Sequence, residues 1–363
     1  MKKVIHIINN LQPSGAEQML FRLISNFEER YDLRTEIIVL RNNNDEEFVK
    51  EFTNLGIKIS FLEATNSLMR IQKLNKILRL AKPDIVQTWM YEADIIGGIA
   101  AKLANIKTII WNVRSVRPAY HNLTYLKAVG LLSWIIPKKI ISNSQRAINF
   151  KSKHLYNRRK FVYIPNGYDL SSASIENSFI SKSNDEIVFG NVSRFDKTKG
   201  LNILLDAIAS LQKSNVFPNF KFFGTHMTLK NKNLKKMIEK RNINLTNIKF
   251  YGFEKSKDAI FNSFDILCQS SNIESFPNVI MEAAMYGKVI LSTKTGDLED
   301  ILEKSNYLVD INSSEQISKT IKSILNTSNE TLEKITKNNL QLVKKYNIDI
   351  ITDQYYEFYI NIN

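Results

Sequence analysis

Apolar, β-branched-rich runs occupy positions 4–8, 36–40, 57–62, 84–88, 108–113, 139–142 and 161–164. Between most of them apolar residues return every three or four positions, which predicts helices over 16–27, 46–54, 68–81, 93–104 and 144–155. A second series of strands is predicted at 187–192, 221–223, 248–251, 266–268, 289–291 and 307–309. Its helices fall at 201–213, 234–240, 257–262 and 279–286. Strands that alternate with helices of this length form parallel sheets covered on both faces. Positions 177–185, rich in Ser and Asn, read as a linker between the two series. The expected class is α/β: two doubly wound domains in tandem, 1–170 and 186–346, with a final helix at about 347–363. Ligands of such sheets bind at the carboxyl ends of the strands, so a cleft between the domains is the expected site.

Composition narrows the class. A chain of 363 residues is too long for one ordinary core, and 44% apolar with 24% charged residues is the balance of a globular protein. The single cysteine, Cys268, lies in an apolar run and reads as a core residue; no disulfide framework can form within the chain, which fits a reducing compartment. The start, Met1-Lys2-Lys3-Val4-Ile5, reads as a first strand rather than a signal peptide, and no apolar run reaches transmembrane length. The expected location is the cytoplasm, dissolved or peripheral to a membrane.

Charge is segregated. Positions 95–168 hold thirteen Lys or Arg residues and no Asp or Glu, against a whole-chain net of +14. A field of one sign implies an anionic partner: lipid, nucleic acid or a phosphorylated substrate. Within it, Leu131-Leu132-Ser133-Trp134-Ile135-Ile136-Pro137-Lys138-Lys139 sets aromatic and apolar side chains beside lysines, as at a lipid surface; a buried helix followed by a strand is the alternative. No ribonucleoprotein signature, zinc-finger spacing or basic zipper occurs, so no nucleic acid is expected and an anionic membrane is the favoured partner.

Candidate chemistry concentrates at strand ends. In Ile273-Glu274-Ser275-Phe276-Pro277-Asn278-Val279-Ile280-Met281-Glu282-Ala283, Pro277 suits a first helical turn, Glu274 precedes the helix and Glu282 lies just over a turn inside it. The free N–H groups of such a helix start seat an anion such as a diphosphate, while the bland alternative makes Glu274 a solvated loop acid and Glu282 a dipole partner. After the first strand, Gly15 opens a helix where backbone can approach a phosphate, or simply makes a turn. After the second domain's first strand, Arg194 and Lys199 either converge on a diphosphate or are surface cations. Ile164-Pro165-Asn166-Gly167 reads as a structural turn.

Taken in order, Gly15-Ala16-Glu17, Pro165-Asn166-Gly167, Arg194 with Lys199-Gly200, and Glu274-x-Phe276-Pro277-Asn278 followed by Glu282-Ala283 resemble the pattern of glycosyltransferase family 4. The likeness runs from Met1 to about residue 310. It implies the GT-B fold, two facing Rossmann-like domains with an interdomain cleft, and retaining, metal-independent transfer from a nucleotide sugar. By that resemblance, the first domain binds the acceptor and the second the donor. Arg194 and Lys199 hold the donor diphosphate, Glu282 the ribose and Glu274 the reacting sugar, while Gly15, Phe276, Pro277, Asn278 and Val279 line the donor. Phe253, in Tyr251-Gly252-Phe253, stands in the loop that receives the base, and the Tyr-rich end, Tyr355 to Tyr359, is the helix that crosses back to the first domain. Relatives usually carry Gly where Ser275 stands, and often Pro where Val289 stands. On the acceptor side, Glu92 occupies a position where relatives commonly have His, and Arg114 would meet an acceptor phosphate; a core tryptophan beside a surface arginine is the alternative for Trp111 and Arg114.

The implied reaction moves a hexose or N-acetylhexosamine, from a donor expected to be UDP-linked, to a lipid-linked saccharide in bacterial surface polysaccharide assembly. No cofactor or metal is expected, and no Asp-x-Asp metal clamp occurs. The cations and helix start offset the charge of the departing diphosphate, which itself takes the acceptor's proton in the front-face route proposed for the family. The enzyme is expected at the inner face of the cell membrane, held there by segment 95–168. A nucleotide-sugar epimerase of the same fold, and a nucleic-acid-binding protein using the basic half, are the competing readings.

Overall fold

The computed structural model describes residues 2–64, 66–116, 123–171, 183, 186–302 and 306–362. The expected linker, 177–185, lies outside these residues except for Ser183. The chain divides into two compact units, Met1–Asp169 with Tyr346–Asn363, and Leu170–Lys345.

In the first unit, strands β1 (Lys2–Ile8), β2 (Leu33–Val39), β3 (Lys58–Phe61), β4 (Ile85–Trp89), β5 (Thr108–Val113), β6 (Lys139–Ser142) and β7 (Phe161–Tyr163) alternate with helices α1 (Gly15–Arg30), α2 (Glu46–Asn54), α3 (Ser67–Ala81), α4 (Tyr91–Leu103), α5 (Leu123–Ile135) and α6 (Gln145–Ser152). The second unit contains β8 (Val188–Val192), α7 (Leu201–Lys213), β9 (Asn219–Phe223), α8 (Lys232–Glu239), β10 (Ile248–Gly252), α9 (Lys257–Phe261) and β11 (Ile266–Gln269). It continues through α10 (Asn278–Met285), β12 (Val289–Thr293), α11 (Leu298–Ile301), β13 (Tyr307–Val309), α12 (Ser314–Leu325) and α13 (Asn329–Lys344). The chain then returns to the first unit as α14 (Ile348–Asn361).

Both sheets are parallel throughout, in the orders β3-β2-β1-β4-β5-β6-β7 and β10-β9-β8-β11-β12-β13. The order reverses between β1 and β4, and again between β8 and β11. Strands buried on two faces need apolar side chains on both, which is why the sequence shows them as runs rather than alternations. In the first unit α1, α2 and α14 cover one face, with Leu20, Phe52 and Tyr359 in the core. On the other face α3, α4 and α5 contribute Leu78, Ala100 and Val129. Cys268 is buried in the core of the second unit, and burial pushes its thiol up to about 12, so it stays protonated.

Three differences from the sequence pattern have local causes. α5 was expected only as the alternative reading of 131–139, a buried helix before a strand, because its apolar residues run around it with no polar stripe to mark the period. α6 begins as expected, with the Ser144 hydroxyl accepting the Ala147 N–H at 3.1 Å, but ends at Ser152. Leu155 then takes a left-handed φ of 68°, which helix cannot continue through. α12 and α13 complete the second unit beyond the stretch where strands and helices alternate.

Buried polar groups tie α14 to the first sheet. The Arg114 guanidinium donates to the Tyr355 hydroxyl at 2.7 Å and to Asn166, and lies over the Trp89 ring, 4.9 Å from its centre. Tyr359 donates to Gln87 Oε1 at 2.6 Å, and its carbonyl accepts from Lys2 Nζ at 2.8 Å. Tyr355→Ala is expected to destabilise the protein by about 3–5 kcal/mol, because it opens a cavity and strands the guanidinium. Tyr355→Phe, which removes only the hydroxyl, should cost about 1–3 kcal/mol. Urea unfolding of the two variants separates these contributions.

A second buried cluster joins α4 and α6. Lys151 is fully buried, donates to the Tyr91 hydroxyl and lies over the Tyr91 and Tyr156 rings at 4.3 and 5.3 Å. Thr88 donates to Asp94 Oδ1 at 2.6 Å. Burial raises the Asp94 carboxyl well above its usual range and lowers Lys151 from the ordinary 10.5 to about 7. Between these two values the unfolded chain holds a proton on Lys151 that the folded chain does not, so stability rises with pH across that window. Lys151→Met is expected to flatten that rise, measured as the urea midpoint against pH.

Candidate active site

Where the strand order of the second sheet reverses, the loops after β8, β11 and β12 meet above the strand ends. The first loop runs from Ser193 into a short 3-10 turn, Lys197–Lys199. Asp196 caps that turn, accepting from the Thr198 hydroxyl at 2.5 Å and the Thr198 N–H at 2.8 Å; these bonds, with Arg194 and Lys199 nearby, hold its carboxyl below the usual range. Gly200 follows at φ 61°, and a Cβ there would lie 1.9 Å from the Ser270 carbonyl oxygen. The Ser270 hydroxyl donates to the carbonyls of Lys199 and Gly200 at 3.1 and 3.0 Å, and the Asn272 N–H to Thr198 O at 2.7 Å. Loop one is thus fastened to loop two along its backbone.

That fastening delivers Lys199 to Glu274: Nζ stands 2.6 Å from Oε1, with each side chain about one-fifth exposed. Ser271 donates to the same oxygen at 2.8 Å. The third loop presses in at Gly296, φ 55°, where a Cβ would meet the Ser275 carbonyl at 2.7 Å. Together the loops enclose a cavity of about 150 Å³, lined by Lys199, Ser271, Glu274 and the segment Phe276, Pro277, Asn278 and Val279, with Val192, Gln269 and Ser292 from the strand ends. It is smaller than the roughly 300–1,000 Å³ that holds a whole small ligand, so it suits one end of a larger one. α10 begins over it at Asn278 with no side-chain cap. Pro277 is the capping residue, at ψ 72°, rather than part of the first turn. The N–H groups of Asn278, Ile280 and Met281 bond the carbonyls of Phe276 and Pro277. The positive end of the helix dipole, with the Val279 N–H and the neighbouring Lys199, is therefore what favours an anion there.

The other expected donor residues are spread around this centre. Arg194 is exposed on the loop after β8 and does not line the cavity. Glu282, fifth residue of α10, lies outside the cavity and pairs with Lys257 of α9 at 2.8 Å. Phe253, directly after β10, is 71% exposed, a free aromatic face next to Tyr251, whose ring stacks on Phe223 at 4.8 Å. Ser271 and Lys257 were not singled out by sequence: Ser271 stands only three residues before Glu274, a local Ser-x-x-Glu spacing that could have pointed to it, whereas Lys257 meets Glu282 from 25 residues away.

In the first unit, Gly15 is exposed at the start of α1, where the Ser14 hydroxyl donates to Glu17; burial raises the Glu17 carboxyl. The acceptor-side candidates are already occupied. Glu92 accepts from Arg70 at 2.9 Å and pairs with Arg41 at 2.5 Å. Arg114, read as meeting an acceptor phosphate or else as a surface arginine, is buried, lowered by desolvation, and bonded to Asn166 and Tyr355 as a core tie. Its neighbour Trp111 is buried, as the alternative had it.

The fold has counterparts among solved structures. HepE of Anabaena, solved with UDP and glucose, superposes with a TM-score of 0.82 at 19% identity, over 99% of both chains. A glycosyltransferase of Rickettsia africae gives 0.75 at 18% identity over 99% of this chain and 98% of that one. Sucrose-phosphate synthase of Thermosynechococcus elongatus gives 0.81 at 14% identity over 100% and 99%. The fold is GT-B. The sequence model of the family described as glycosyl transferases group 1 matches residues 174–341, within the second GT-B unit. No curated protein matches the sequence.

Gly200→Ala tests the fastening of the loops. The left-handed φ alone is expected to cost about 1–3 kcal/mol, and the contact with Ser270 adds to it. Thermal unfolding should show the loss, whereas Ala at Gly56, also at positive φ but with open space around it, carries only the backbone part.

Proposed function

We propose that the protein is a retaining glycosyltransferase of family 4. It transfers a hexose or N-acetylhexosamine from a UDP-sugar to a lipid-linked saccharide in bacterial surface polysaccharide assembly, without a metal or other cofactor. The observation that carries this reading is the Lys199–Glu274 pair beneath the uncapped start of α10, at the strand-order reversal. The group 1 match over the same unit, and the UDP and glucose bound by HepE, support a UDP-sugar donor.

Breaking a sugar–phosphate bond builds positive charge on the anomeric carbon and negative charge on the departing diphosphate. Lys199 and the start of α10 offset the latter in this reading, with Arg194, on the same loop as Lys199, as a further cation. Both hydrogen bonds to Glu274 fall on Oε1, leaving Oε2 to accept from a sugar hydroxyl. A carboxylate held by two donors is a weak nucleophile, so Glu274 serves to position the sugar, and the leaving phosphate takes the acceptor's proton. Glu282, oriented by Lys257, grips the ribose, and Phe253 offers its ring to the base. The first unit receives the acceptor. The enzyme works in the cytoplasm at the inner face of the membrane, through segment 95–168; among the described residues no helix is long and apolar enough to cross a membrane.

UDP release from a panel of UDP-sugars, with and without a lipid-linked saccharide acceptor, tests the reading. Lys199→Ala is expected to lower kcat by roughly 100–1,000-fold, the scale for loss of one charge-stabilising donor. Glu274→Ala should abolish transfer while UDP itself still binds. Full activity in both variants, or conversion of the donor to its epimer without transfer, would overturn the assignment.

A further inference from the structure

α5 has two apolar sides. One packs into the core of the sheet through Leu126 and Val129. The opposite side carries Leu123, Leu131, Trp134 and Ile135, each more than half exposed, with Lys127 among them. The turn after α6 extends this face. A Cβ on Gly130 would lie 2.3 Å from the His154 carbonyl, so helix and turn touch through backbone. The Trp134 indole donates to Leu155 O at 2.9 Å, and the Leu155 side chain is itself nearly half exposed. Contiguous exposed apolar side chains of this size mark an interaction surface.

Its surroundings identify the partner. Lys138, Lys153, Arg158 and Arg159 follow α5 and the turn closely in sequence, the last three exposed, and no acid occurs anywhere in 95–168. Lys160 anchors the end of the helix, donating to the carbonyls of Ser133, Trp134 and Pro137 at 3.0, 2.7 and 2.7 Å. An apolar stripe with a tryptophan and a cationic border complements the acyl boundary and phosphate layer of an anionic bilayer. A second copy of the chain docking through the same face would set these like charges against each other. α5 also follows β5, so its first turn lies at the carboxyl-terminal edge of the first sheet, where ligands of such sheets bind.

We propose that the outward face of α5 and the Leu155 turn form the membrane-docking surface, with Leu131, Trp134, Ile135 and Leu155 in the interfacial layer of an anionic leaflet. A helix lying flat there holds the sheet edge beside the lipid from which a lipid-linked acceptor would be drawn. The inference deepens the membrane part of the function proposed above and rests on that part alone; lipid binding is measured without any transfer reaction.

Trp89 and Trp111 are fully buried, so of the three tryptophans Trp134 is the one whose emission lipid can change. Full-length protein is titrated with phosphatidylcholine vesicles, with and without phosphatidylglycerol, at low and high salt, and binding is confirmed by flotation. A blue shift confined to the anionic vesicles and weakened by salt is expected. Leu131→Ser combined with Ile135→Ser should lower partitioning by roughly tenfold or more, with thermal unfolding showing the fold retained. Trp134→Phe should float normally but lose the shift. Absence of binding to anionic vesicles at low salt, or undiminished binding of the folded double variant, would overturn the proposal. So would a lipid-free dimer in sedimentation that Ile135→Ser dissolves, which would assign the face to a second copy. UDP release by the same variants in solution reports on the donor site separately.

Discussion

Backbone packed directly on backbone governs the second unit. Gly200 lies against the Ser270 carbonyl so closely that no side chain fits, and Ser270 returns the contact by bonding the carbonyls of residues 199 and 200. Two loops that follow strands far apart in the chain thereby behave as one rigid rim. The placement of Lys199 opposite Glu274 depends on it, because Glu274 is tied locally by Ser271 while Lys199 reaches it from a loop 75 residues away. A cation and an acid held in register beneath a helix start need little reorganisation when charge develops on a substrate, which is where preorganised sites gain most.

The two units treat charge at their strand ends differently. In the first, Glu92, Asp94, Arg114 and Lys151 are engaged by neighbours within the unit, and the groups that lose water hold up structure: Arg114 and Asn112 receive the last helix at Tyr355, while Lys151 is wrapped by tyrosines. In the second, Lys199 and Glu274 face a cavity and Arg194 faces solvent. A residue type at a strand end is therefore a poor guide to function until its burial is known.

That distinction sets how much was legible in the sequence. The alternation of strands and helices was plain, because strands buried on both faces appear as unbroken apolar runs and most helices keep a polar stripe. α5 lacked such a stripe, so its period and its start at Leu123 were not readable, although a buried helix followed by a strand was the alternative reading of its second half. The segment from Glu274 to Glu282 was readable because helix start, loop acid and helical acid lie within one short stretch. The bond from Lys199 joins residues 75 apart in sequence, and spacing carries no trace of it. Arg114 was misread for a related reason: the residues that bury it come from Asn166 and from Tyr355, at the far end of the chain.

The return of α14 to the first unit bears on how the molecule is made. Residues 346–363 belong to the core begun by residues 1–169, with the whole second unit, 170–345, synthesised in between. At about 5–20 residues per second, that interval is roughly 9–35 s. Throughout it α1 and α2 already cover that face of the first sheet, but the part that Tyr355 and Tyr359 later pack on, Ile141 of β6 and Phe27 of α1 among it, lacks its last helix. The nascent first unit must wait with an open apolar flank while its neighbour is translated, which makes it a natural client for a ribosome-associated chaperone and makes the last helix the step that commits it to the folded state.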